Sequence, residues 1–125
     1  MRRRQKISFV DCQSGTTAVE FALVAPILIS LIIGGLSTGV VVYSAAGLRD
    51  SVEQAARCYS VNANQCSSAS ATQTYAKSLY YGIDKPTFTA TTQPCGYQVA
   101  ATVTVNLTAI IVDFGVPLSA KSCFP

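Results

Sequence analysis

The sequence has no histidine and no tryptophan. Without an imidazole there can be no Ser/His/Asp or Cys/His arrangement for nucleophilic catalysis, and no histidine to complete a zinc site. Charge is also scarce, with nine basic and six acidic residues in 125, and four of the basic ones (Arg2, Arg3, Arg4, Lys6) lie at the very start. Beyond Gly15, five basic residues (Arg49, Arg57, Lys77, Lys85, Lys121) face five acids (Glu20, Asp50, Glu53, Asp84, Asp113). A neutral chain lacks the clustered cations that displace counterions from phosphates, so nucleic acid is excluded as a partner. No two acids form a recognisable general acid and base pair, and no glycine-rich phosphate loop is present. The residues point to a non-enzyme without a cofactor.

Apolar sequence, in contrast, is plentiful. Across residues 18–42 Glu20 is the only ionisable side chain. A helix needs roughly 20 apolar residues to cross a bilayer core. This run is long enough, and between Leu23 and Leu36 every face is apolar or small, whereas the core helix of a soluble protein keeps a polar stripe. A carboxylate at mid-membrane costs on the order of 3 kcal/mol, which makes Glu20 a functional candidate unless it lies among hydrated headgroups.

The context of Glu20 is a basic segment, a glycine five residues before it, and the block Ala18-Val19-Glu20-Phe21-Ala22-Leu23-Val24-Ala25-Pro26. The glycine and glutamate resemble the processing site of type IV-like prepilins, and the block resembles the signature of TadE-like proteins, pilin-like minor subunits (pseudopilins) of tight-adherence (Flp/Tad) pilus systems. The resemblance implies cleavage by a prepilin peptidase between Gly15 and Thr16. Residues 1–15 are then a cytoplasmic leader, and Thr16 becomes the amino terminus. It also implies that Glu20 and Phe21 serve subunit assembly, with other pilin or pseudopilin subunits and the pilus assembly platform as partners. Physically, a new ammonium at Thr16 adds to the positive end of a helix dipole, and a carboxylate one turn along compensates it in the same or a neighbouring subunit. The competing reading is a single-span, membrane-anchored binding protein that never enters a pilus, its glycine and glutamate incidental.

Basic residues ahead of the first span hold that end in the cytoplasm, so residues 16–43 are expected to span the cytoplasmic membrane among its lipids, and 44–125 to lie outside. A cleavable secretory signal is the rival use of the same cluster, but its apolar core would begin after Gly15 and run unusually long. Cysteine placement agrees with the orientation. Cys12 falls in the leader, while Cys58, Cys66, Cys95 and Cys123 fall beyond the span, an even four in an oxidising space. Their spacings of 8, 29 and 28 contain no close pair suited to zinc, so two disulfides are expected and no metal.

Helix is expected from about Thr16 to Tyr59, with a loosened turn at Pro26 that neighbouring membrane helices tolerate. Gly35-Leu36-Ser37-Thr38-Gly39 is a GxxxG unit, so Gly35 and Gly39 are candidates for close helix packing. Beyond Tyr43 the helix turns amphipathic, with Leu48, Val52, Ala55, Ala56 and Tyr59 on one face and a favourable Glu53, Arg57 pair elsewhere. Residues 60–70 read as a polar loop. Ser68 or Ser70 then caps a short helix carrying Ala71, Tyr75, Ala76 and Leu79, ended by Gly82. Tyr75, Tyr80 and Tyr81 are read as packing residues.

Residues 98–108 alternate strictly, with Val99, Ala101, Val103, Val105 and Leu107 on one side, which predicts a strand packed on one face. A shorter strand through Phe88 and Ala90 precedes it across the turn Gln93-Pro94-Cys95-Gly96, and 116–123 returns as a third. Asn106-Leu107-Thr108 matches a glycosylation sequon but falls inside a strand. Antiparallel pairing centred near residue 109 makes opposed residue numbers sum to about 218. That register sets Cys95 opposite Cys123 and leaves Cys58 to Cys66, one of three ways to pair four cysteines. The expected fold is α+β: a long amino-terminal helix, membrane-spanning and then amphipathic, with a small disulfide-stapled domain of short helix and antiparallel sheet. The resemblance implies the same pilin-like plan.

Overall fold

The computed structural model describes residues 14–109 and 112–125. The expectations for the basic leader and Cys12 lie outside the described residues. Elements follow in the order α1 (Ser14–Val61), α2 (Ala69–Leu79), β1 (Thr87–Gln93), β2 (Gly96–Ala109) and β3 (Val112–Phe124), an α+β arrangement. The chain divides into two compact units, Met1–Leu36 and Ser37–Pro125. In its described part the first is wholly α1, which continues through Pro26 without interruption. The Ser30 hydroxyl donates to the Pro26 carbonyl at 2.7 Å.

In the second unit the amphipathic turns of α1 bury the expected stripe: Leu48, Val52, Ala55 and Ala56 are nearly inaccessible, and Tyr59 packs at their end. The buried face also takes in Ser44, Gly47 and Ser51. Residues 44, 47, 48, 51, 52, 55 and 56 form an unbroken helical stripe, and the absence of a side chain at Gly47 leaves room for the Tyr81 ring. Ser51 Oγ remains satisfied by donating to the Leu48 carbonyl, 2.9 Å away. The predicted Glu53, Arg57 ion pair does not form. Arg57 instead lies over the Phe124 ring, 5.4 Å from its centroid, where a guanidinium keeps an attractive contact while covering apolar surface.

Ser68 caps α2, its hydroxyl accepting from the Ala71 N–H at 3.2 Å. Gly82 does not end this helix. The chain becomes extended at Tyr80 (φ −75°, ψ 127°), and Gly82 lies against the Tyr80 hydroxyl, where a β-carbon would collide.

The three strands form one antiparallel sheet in the order β1-β2-β3. Val99, Ala101, Val103 and Val105 are buried, with Phe88 and Ala90 of β1 beside them, and this face closes the core against α1 and Ala76 of α2. Pro94 and Cys95 make the turn between β1 and β2, and Gly96 takes φ 119°, open only to glycine. The β2–β3 register differs from the expected one. Val99 opposes Ser122 and Ala109 opposes Val112, so opposed numbers sum to 221. The pattern of β3 requires this: it sets Val116, Leu118 and Ala120 opposite Val105, Val103 and Ala101, whereas a sum of 218 would turn Ser119 into the core opposite Val99.

Candidate assembly and anchoring site

Each of the sequence-derived site residues has a definite place. Gly15 and Thr16 lie in the first turn of α1, both exposed, and a β-carbon at Gly15 would meet nothing within 4 Å. Glu20 follows one turn later, also exposed, and among the described residues no ion pair reaches it. Phe21 is 73% exposed beside it. From there Leu23, Val24, Ile27, Leu28, Leu31 and Ile32 are all more than half exposed, and none of the most apolar window of the helix is buried. The helix is long and apolar enough to cross a membrane. Gly35 and Gly39 are exposed, and among the described residues a β-carbon on either would meet nothing within 4 Å.

The four outer cysteines pair as Cys58 with Cys66 and Cys95 with Cys123. The second bridge arises from a different geometry than residue-to-residue opposition. Cys123 sits opposite Gln98, and Cys95 reaches it from the β1–β2 turn, with a Cα separation of 6.3 Å.

Several residues that the sequence did not single out as site residues fix the loop between α2 and β1 on the rest of the second unit. Tyr81 lies over Gly47, whose added β-carbon would come 3.0 Å from its ring, and its centroid is 5.0 Å from that of Tyr43. Asp84 accepts the backbone N–H of Asn106 at 3.1 Å. Since β1 starts only at Thr87, opposite Thr102, this carboxylate satisfies a donor on the part of β2 that β1 does not cover. The signal for Tyr81 was present in Tyr43 and Gly47, an aromatic and a glycine one turn apart. The hydroxyls of Ser44 and Tyr80 are buried without a well-formed hydrogen bond. Burial raises the Tyr80 phenol above its ordinary 10.0, the nearby Ser44 hydroxyl opposes that, and the charge of Asp84 adds to it.

Among the described residues no three His, Cys, Asp or Glu side chains gather into a metal site. No curated protein and no solved structure matches the chain. The family model described as TadE-like protein matches residues 15–57, from the proposed cleavage glycine through the apolar run and into the buried stripe of α1. Over that segment the chain is similar to the TadE-like family, in keeping with the resemblance carried by the block from Ala18 to Pro26.

Proposed function

We propose that this protein is a minor pilin, or pseudopilin, of a tight-adherence pilus. It is inserted in the cytoplasmic membrane with its amino terminus inside and its disulfide-stapled domain outside, cleaved after Gly15 by a prepilin peptidase, and then passed to the assembly platform and other pilin subunits. The observation that carries the reading is the place of Glu20: exposed, one turn beyond Gly15 and Thr16, at the head of an apolar helix that nothing in the described chain covers. A lone carboxylate there has a use if a cationic amino terminus is created beside it. The family match beginning at Gly15 supports the same boundary. The role is structural and assembly-related, with adhesion as its outcome.

Amino-terminal sequencing of the protein from membranes, with and without its prepilin peptidase, tests this reading. The chain begins at Thr16 in the first case and retains the leader in the second. A mature protein that begins at Met1 or Arg2 sinks it, and leaves the single-span binding protein as the better account.

A further inference from the structure

Two aromatic contacts set the direction of the sheet on α1. Tyr59 meets Tyr97 with ring centroids 4.7 Å apart, and Tyr43 meets Tyr81, whose loop is tied to Asn106 through Asp84. From Tyr59 back to Tyr43 is about 24 Å of helix, and from Tyr97 on to Asn106 about 30 Å of strand. The strand β2 therefore descends α1 as its numbers rise, and the loop 80–86 is held at the end of the second unit where the apolar run closes.

That loop exposes Ile83 at 71%, although Tyr81 and Asp84 on either side are both anchored. An isoleucine pinned outward between two fixed neighbours is presented, not left over. Around it lie Tyr43 and Tyr81, 52% and 45% exposed, and Lys77 and Lys85 line the same shallow cleft as Ile83. Aromatic rings with polar tips, one apolar side chain and basic side chains, continuous with a membrane-length apolar run, are the composition of a headgroup-level belt. We propose that the loop 80–86 is a second membrane contact: Ile83 inserts among the lipids at the outer surface, Tyr43 and Tyr81 sit at headgroup level, and Lys77 and Lys85 favour anionic headgroups. The partner is a lipid surface, and the inference rests on the reading of α1 as a membrane anchor.

Because the chain has no tryptophan, single reporters can be placed in the full-length protein, reconstituted in vesicles of phosphatidylcholine and phosphatidylglycerol in equal parts, with and without brominated acyl chains. Ile83→Trp is expected to emit to the blue of Val61→Trp, a reporter at the far end of α1, and to be quenched by the brominated lipid at least half as strongly as Leu31→Trp within the apolar run. Adding Lys85→Glu should weaken that quenching. Quenching at Leu31→Trp but none at Ile83→Trp overturns the inference and leaves the anchor standing; no quenching at Leu31→Trp overturns both. A blue shift at Ile83→Trp without quenching also overturns it, since the side chain is then covered by protein.

Discussion

Removing the two disulfides separately should destabilise the outer unit unequally, and the inequality follows from loop length. The bridges join cysteines separated by 28 positions (Cys95 and Cys123) and by 8 (Cys58 and Cys66). In the chain-entropy account, the longer loop contributes about 3.6 kcal/mol and the shorter about 2.5 kcal/mol. Packing works against this order, because Cys66 is buried while Cys95 is exposed. Losing one buried sulfur amounts to about one methylene's worth of burial, on the order of 0.8 kcal/mol. The two effects separate in urea unfolding of the full chain in detergent micelles. Freeing the unfolded chain raises the denaturant slope, more for the larger loop, whereas lost packing lowers the midpoint at constant slope. Cys95→Ala with Cys123→Ala should therefore show the larger rise in slope. An equal or larger rise for Cys58→Ala with Cys66→Ala would refute loop closure as the source of the stabilisation.

Three further perturbations test other parts of the structure. We predict that Glu20→Gln leaves cleavage after Gly15 intact but impairs incorporation, since the new ammonium at Thr16 loses its counter-charge; normal assembly with failed cleavage, seen by immunoblot and pilus counts, would place Glu20 in peptidase recognition instead. Gly96→Ala should cost about 1 to 3 kcal/mol from its backbone conformation alone, and more because a β-carbon would strike the Phe124 carbonyl and come 2.7 Å from Pro125 Cα; an unchanged urea midpoint would contradict the turn. Tyr80 binds its proton more tightly folded than unfolded, so the stability it confers is complete below the ordinary 10.0 and is lost as pH rises beyond that. Thermal unfolding across that window should show a decline in the native chain that Tyr80→Phe removes, and an identical decline in both would exclude Tyr80 as its source.

What the sequence disclosed and what it hid divide along physical lines. The apolar run, the stripe from Leu48 to Ala56, the Ser68 cap and the alternation from Val99 to Val105 each depend on periodicity or on a local hydrogen bond, and each is where the sequence sets it. The register of β3 depended on where a hairpin tip falls, and an error of three in the summed numbers exchanges its faces. Choosing the face that groups Val116, Leu118 and Ala120 would have corrected it. Arg57 was misassigned because helical spacing identifies neighbours on one element only, and Phe124 arrives from the far end of the chain. Gly82 looked like a helix stop, yet its small size serves the Tyr80 side chain. Tyr81 packs as its sequence reading has it, but its partner Gly47 and the Asn106 partner of Asp84 were hidden, lying 34 and 22 positions away in the sequence.

A three-stranded sheet has two open edges, and in a protein proposed to assemble with other pilin subunits those edges matter. Strand addition is one route to assembly and also the route to aggregation. Here α2 packs on β1. The overhang of β2 is met by Asp84, and the side-chain amide of Asn106 reaches the Thr104 carbonyl at 3.4 Å. On β3 the safeguard is Pro117. Because the Asn106 N–H points toward the β1 side, even-numbered residues of β2 turn their backbone groups that way and odd-numbered ones bond β3. Thr104 opposite Pro117 is then a non-bonded pair, which aims the missing N–H of Pro117 at the free edge. The exposed Lys121 lies on the same strand. Pro117→Thr with Lys121→Thr restores the edge donor and removes the charge without touching the buried face, so the variant should fold normally yet associate with rising concentration through intermolecular β-structure, read by sedimentation and infrared absorption in detergent. A variant that stays as monodisperse as the native chain would show that Pro117 does not guard this edge.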